Sequence, residues 1–321
     1  MNSQKTLDWS GRQLTSLPEP LDLHGELEAL NLDDNLLEEL PASLGRLGEL
    51  KKLSLYRNRL AELPETLWGL THLRILNLAD NRFTQLPEEI GSLENLHMLD
   101  LGHNRLAALP SSIGGLGSLE FLYLSNNRLA DLPRSFARLA SLIYLNATDN
   151  QLTSVPEWIG DLSGLVELRL YNNQIASLPE SIGRLEKLKE LHLMHNHLAA
   201  LPAAIGGLTG LRKLGLQGNR LTSLPESTCE LASLTDLDLR DNHLAALPAA
   251  LGGLPNLRTL DLRANRLTAL PASLAGLARL EKLDLRWNRL AALAPSGAPR
   301  VPEWIEQLES QGCVVFTDFA P

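Results

Sequence analysis

The sequence predicts an α/β solenoid: a single right-handed stack of short parallel strands, each followed by a compact helical return segment. Three observations predict it. An Asn recurs every 23 residues, at Asn35, Asn58, Asn81, Asn104, Asn127, Asn150, Asn173, Asn196, Asn219, Asn242, Asn265 and Asn288. A Pro keeps the same step from Pro18 through Pro271, and Leu follow in register from Leu30 to Leu283. Finally, 78 of the 321 residues are Leu while aromatics make up only 4%, which fits one packing unit repeated rather than a mixed globular core.

Residues 1–29 are read as an N-terminal half-repeat and cap. The half-unit LDWSGRQLTSLP begins at Leu7, carries Arg12 in the Asn place, and supplies an opening strand around Leu7–Trp9 whose free edge is guarded by Lys5 and Asp8. Residues 30–293 form the array, with the unit LxxLxxLxLxxNxLxxLPxxIGx seen complete from Leu93 to Gly115. In its LxL segment two Leu point to one face and the residue between them to the other, as a strand requires. One strand cannot bury that face alone, so neighbouring units must stack, giving thirteen register-matched strands. The Asn is polar among Leu, and its amide has donors and acceptors enough to bond backbone of its own and the adjacent unit. The Pro fixes φ and suits the first position of a helical return. Gly45, Gly91, Gly114, Gly160, Gly183, Gly206 and Gly252 mark where that return packs tightly, with Trp68, Ala137, Cys229 and Ala275 as substitutes. Ala147, in place of an inward Leu, is the expected irregularity. Residues 294–321 comprise an Ala- and Pro-rich insertion and a closing cap. The cap is a helix over Pro302–Gln311, whose Trp304, Ile305 and Leu308 cover the last Leu layer, and one more strand near Val314 and Phe316.

The unit, with its LP and IG signatures in twelve unbroken registers, resembles the leucine-rich repeats of the intracellular 23-residue class, found in plant Ras-group proteins, Ras-binding scaffolds and bacterial repeat proteins. The resemblance implies a horseshoe with strands on the concave face, short helices or 3-10 turns on the convex face, and protein recognition through the concave surface.

On that variable face the outward residue opening each strand forms a column: Ala29, Lys52, Ile75, Met98, Phe121, Tyr144, Glu167 and Glu190. Ile75, Met98, Phe121 and Tyr144 are consecutive and large, and at about 4.8 Å between strands they make a stripe roughly 14 Å long. The next outward columns add Tyr123, Arg169 and His192, then Tyr56, Tyr171 and Met194. Exposed apolar groups edged by Tyr and Arg compose binding hot spots, so these ten residues are the expected partner contacts. The bland alternative is that Tyr and Phe simply suit strands. Asp238, Asp261 and Asp284 fall in one column, and Arg240, Arg263 and Arg286 in the next. They are read as a self-neutralising ladder of exposed pairs with little net weight, the alternative being a polar docking strip. The Arg after each ladder Asn, such as Arg59 and Arg82, reads as a solubilising ridge.

Chemistry is otherwise sparse. His192, His195 and His197 crowd one unit, but the neighbours expected one unit away include Arg169 and Arg220 and no carboxylate, a poor setting for a metal. There is no Gly-rich phosphate loop, HExxH or GxSxG, and neither Cys229 nor Cys313 has the His and acidic company of a nucleophile. The sequon at Asn146 lies mid-strand. No metal, cofactor or catalytic residue is therefore expected. A net charge of −9 argues against nucleic acid; short apolar runs and the polar N-terminus argue against membrane insertion or a secretory leader; two Cys suit a reducing compartment. The expected function is a non-catalytic, monomeric, cytoplasmic interaction module that recognises a protein. The alternative is a bacterial effector, exported without a cleaved signal, that binds a host signalling protein.

Overall fold

In the array repeats the first Leu of Leu-x-Leu centres a three-residue strand in the computed structural model, which describes residues 5–17, 26–290 and 303–318. Pro18, Pro302 and the insertion beginning at residue 294 lie outside the described residues. The chain divides into two compact units, Met1–Leu152 and Thr153–Pro321.

The first unit holds β1 (Thr6–Asp8), β2 (Ala29–Asn31), β3 (Lys52–Ser54), β4 (Ile75–Asn77), β5 (Met98–Asp100), β6 (Phe121–Tyr123) and β7 (Tyr144–Asn146). All neighbours are parallel and consecutive, each residue facing the one a full repeat later, as in Leu76↔Leu99 and Leu99↔Leu122. The second unit holds β8 (Glu167–Arg169), β9 (Glu190–His192), β10 (Lys213–Gly215), β11 (Asp236–Asp238), β12 (Thr259–Asp261), β13 (Lys282–Asp284) and β14 (Val314–Phe316) in the same arrangement. The opening strand thus begins one residue earlier than expected. Among the described residues, thirteen array strands and a closing one stand as the repeat register requires.

Leu53, Leu76, Leu99, Leu122 and Leu145, at the centres of their strands, are fully buried. Ala147 is as buried as the Leu it replaces. The return segment leading into its strand carries Phe136, also fully buried, where other returns carry Ile113 or Ile159.

The returns are 3-10 helices, for example Ser111–Gly115 and Glu180–Arg184. Pro does not occupy their first position as expected; it caps them. Pro110 has φ −65° and ψ 151°, extended backbone, and its carbonyl accepts the first helical bond from Ile113 N–H at 3.3 Å. The ring pre-sets φ while leaving ψ free to turn the chain into the helix. Gly114 answers to close approach: a Cβ there would lie 2.3 Å from the Ser135 carbonyl oxygen of the next return.

The Asn ladder ties the repeats together. Asn104 Nδ2 donates to Leu101 O (3.0 Å) and Gly102 O (3.1 Å) of its own turn and to Leu78 O (3.0 Å) of the preceding one. Its Oδ1 accepts from Phe83 N–H at 3.0 Å. The residue before each ladder Asn turns the chain with positive φ, near 53° at His103 and Asp149 and 61° at Trp287. This requirement explains the Asp, Asn, His and Gly found at nine of the twelve places, since these tolerate the left-handed region best; Arg57, Ala264 and Trp287 adopt it without that preference.

At the C-terminal end an α-helix, α1 (Glu303–Ser310), buries Ile305 and Leu308 and leaves Trp304 half-covered. Among the described residues, no helix is long and apolar enough to cross a membrane.

Candidate functional site

The strand alternation that sends one Leu inward sends its neighbours to the opposite face of the sheet. On the first unit this sets Ile75, Met98, Phe121 and Tyr144 in adjacent register positions. Sequence reasoning expected exposed groups. The four are half-buried, because large side chains stacked at strand spacing shield one another. Tyr123 joins them from the next outward column, its ring centroid 5.0 Å from that of Tyr144 at an interplanar angle of 40°, a favourable tilted aromatic pair. Tyr56 stands clearer of its neighbours, 37% exposed. Asp100 occupies the register place beside Tyr123. Burial pushes its carboxyl above the usual range, against the pull of the Gly102 N–H and of His103.

On the second unit Arg169 and His192 are register neighbours. Around them lies a charged network that sequence reasoning missed. The three histidines do not gather. Instead, Glu167, Glu190 and His192 bring ligand-type atoms within 4.8 Å of one another. The expectation of no carboxylate near His192 is thereby corrected: outward residues two apart on a strand share its face, so Glu190 and Glu167 flank the imidazole. His192 Nε2 lies 3.0 Å from Glu190 Oε2, and Lys213 Nζ lies 2.9 Å from Glu190 Oε1. Arg169 Nε donates to Glu167 Oε1. Burial raises the Glu190 pKa, but the bonds from Lys213 and His192 outweigh it and leave the carboxyl below its ordinary value. Each carboxylate has a cationic side chain beside it, so the cluster balances its own charge.

The Asp–Arg ladder forms in the register expected, but its pairs are not exposed. Arg263 binds Asp261 through Nε and Nη2 at 2.9 and 2.7 Å, and Arg286 binds Asp284 in the same way at 2.9 and 2.6 Å. The carboxylate side chains of Asp261 and Asp284 are only 10% and 0% exposed, because the guanidinium groups lie over them. Arg263 also reaches Asp284 at 3.3 Å, and Arg240 reaches Asp261 at 3.6 Å, which offsets the like charges stacked in each column. Burial pushes the Asp284 pKa up, yet hydrogen bonding from Arg286 dominates and holds it below the usual range.

Three further apolar groups escaped the sequence reading as exposed surface: Trp287 at 63%, Val314 at 54% and Phe316 at 37%. The Arg286 guanidinium lies 5.0 Å from the Phe316 ring and 5.7 Å from that of Trp287. A Trp in a turn place held in most other repeats by Asp, Asn or His was the available signal. On the edge ridge, Arg59 and Arg82 approach Glu38 at 3.7 and 3.9 Å.

Family models named leucine-rich repeat region and leucine rich repeat match the chain, the first over residues 64–147 and 134–237, the second over 25–83 and 232–290. No curated protein matches. Among solved structures, a leucine-rich repeat protein of Leptospira interrogans is 37% identical with a TM-score of 0.86, over 96% of this chain and 76% of that one. The plant peptide hormone receptor RGFR1, solved in complex with RGF2, is 29% identical with a TM-score of 0.76; the match covers 85% of this chain but only 46% of the receptor. An internalin of Listeria monocytogenes is 25% identical with a TM-score of 0.67, over 86% of this chain and 85% of that one.

Proposed function

Because this chain belongs to the leucine-rich repeat family, we propose that it is a non-catalytic module that recognises a protein partner through the outward face of its parallel sheet. The observation that carries this reading is the half-buried apolar stripe Ile75, Met98, Phe121 and Tyr144 with the Tyr123 ring stacked beside it. These side chains are outside the Leu core and stand on regular strands, so a partner covers them with little ordering cost. Tyr56 belongs to the same face of the first unit, and on the second unit Arg169, Tyr171, His192 and Met194 are proposed as partner contacts in their own right. Similarity to a receptor solved with its peptide hormone supports a peptide or protein ligand.

Chemistry at the thiols is not part of this reading. Burial pushes Cys313 up to about 11 and, with Glu226 and Glu230 beside it, raises Cys229, so neither forms a ready thiolate. Both are free cysteines, which supports a reducing, cytoplasmic setting. The net charge of −9 supports a protein rather than a nucleic acid as partner, and the protein is proposed to act as a monomer. Similarity to the Leptospira protein favours a second, bacterial reading, in which the same surface engages a host signalling protein after export. Secretion into culture medium separates the two. The test of the main reading is affinity capture with three baits: the wild type, the triple variant Phe121→Ala, Tyr123→Ala, Tyr144→Ala, and the edge-ridge control Arg59→Ala with Arg82→Ala. A partner held by the wild type and control but lost from the triple variant supports it. Equal capture by all three overturns it.

A further inference from the structure

Gly215 is the one residue of its outward column without a side chain in the second unit, where it lies in register between His192 and Asp238. The gap opens a cavity of about 270 Å³ on the sheet face, floored by the strands at Leu214, Gly215 and Leu237 and walled by Met194 and Lys213 on one side and by Asp236, Asp238 and Asp261 on the other. A Cβ at Gly215 would sit 2.5 Å from Met194 Sδ, so the thioether leans into the notch and forms an apolar wall that a flexible side chain can reshape.

The charges around this cavity are matched with one exception. Arg169 pairs with Glu167, Lys213 with Glu190, Arg240 with Asp238 and Arg263 with Asp261. Lys213 is the register neighbour of Asp236 as well as of Glu190, yet its ammonium lies on Glu190 at 2.9 Å. Asp236 is left with no cation within ion-pair distance among the described residues. It shares the Thr235 hydroxyl, at 2.7 Å, with the Arg212 carbonyl at 2.9 Å. The site is therefore a partly apolar notch at a carboxylate that has no ion pair of its own, although the Lys213 ammonium feels its charge. A basic side chain fits this chemistry: its hydrocarbon stem lies against Met194 over the bare backbone at Gly215, and its charged head reaches Asp236.

We infer that the Gly215 notch is an anchor pocket for an arginine or lysine side chain of the protein partner. The inference rests on the reading that the sheet face binds protein, but its test needs no partner. The full-length protein, labelled with ¹⁵N, is titrated with N-acetyl-arginine methylamide and with N-acetyl-citrulline methylamide, its uncharged isostere. The expected result is saturable shifts of the Leu214, Gly215 and Leu237 amides with the arginine probe, with citrulline at least about tenfold weaker. Asp236→Asn should reduce arginine to the citrulline level, and Gly215→Val should abolish the response. Asp241→Asn, at a neighbouring turn outside the cavity, should leave it unchanged. Equal binding of the two probes to the wild type overturns the inference without recourse to any variant. So does arginine binding that survives Asp236→Asn, or shifts that fall elsewhere. Failure here leaves the partner-capture result standing, and failure of capture leaves the probe result standing.

Discussion

Replacing Asn104 with Ala tests whether the amide ladder holds the repeats together. The carbonyls it serves have other donors: Leu78 O also accepts from Asn81 Nδ2 at 3.2 Å, Leu101 O from Asn127 Nδ2 at 2.9 Å, and Gly102 O from Asp80 N–H at 2.9 Å. Phe83 is different. Its N–H points at Asn104 Oδ1, and the residue is 1% exposed. Stranding that donor costs about 1–3 kcal/mol, and each weakened carbonyl bond adds a fraction of 1 kcal/mol, for a total of about 2–4 kcal/mol. Asn104→Asp retains the acceptor for Phe83 but turns a carboxylate toward the Leu78 and Leu101 carbonyls. Its deficit should therefore shrink in acid, where the protonated form donates again. Urea unfolding followed by circular dichroism measures both, with the slope checked because stacked repeats can unfold in parts. An Asn104→Ala variant within about 0.5 kcal/mol of wild type would refute the ladder as a structural tie.

Two further outcomes follow from particular contacts. Gly114→Ala must push against the Ser135 carbonyl 2.3 Å away, whereas a Cβ on Gly117 meets nothing within 4 Å; the first should lower the urea midpoint by an amount equivalent to about 2 kcal/mol or more and the second should scarcely move it. Asp284 is held below its ordinary pKa in the fold, so between its folded and unfolded values the native chain binds fewer protons. Its contribution is thus fully present above about pH 4 and is lost as pH falls through the folded value. The stability gap between wild type and Asp284→Asn should close on acidification below pH 4, and a gap that stays constant to pH 2 contradicts the assignment.

The repeating parts of the molecule were legible because each position answers one requirement in every unit. The strand at Leu99, the amide at Asn104 and the return at Ser111–Gly115 all follow from the 23-residue spacing. The capping place of Pro110 was misread by one residue, since φ alone does not distinguish a cap from a first turn. The face was harder. That Asp284 would be fully covered depends on where the Arg286 side chain lies, and spacing is silent on that. The company of His192 was missed because residues were compared down a column, whereas Glu190 reaches the imidazole from its own strand. The notch at Gly215 is marked only by a missing side chain. The exposed Trp287 stands in a turn place whose positive φ was not inferred from the Asp, Asn and His found there.

The central claim is that the apolar stripe of the first unit is the centre of the partner footprint. The most direct test is the dissociation constant of the captured partner, measured by calorimetry for the wild type and for the Phe121→Ala, Tyr123→Ala, Tyr144→Ala variant. Circular dichroism serves to confirm that the variant keeps its fold. A weakening equivalent to about 2–4 kcal/mol, roughly 30- to 900-fold, is expected. A folded triple variant that binds with wild-type affinity contradicts it, and places recognition elsewhere on the molecule.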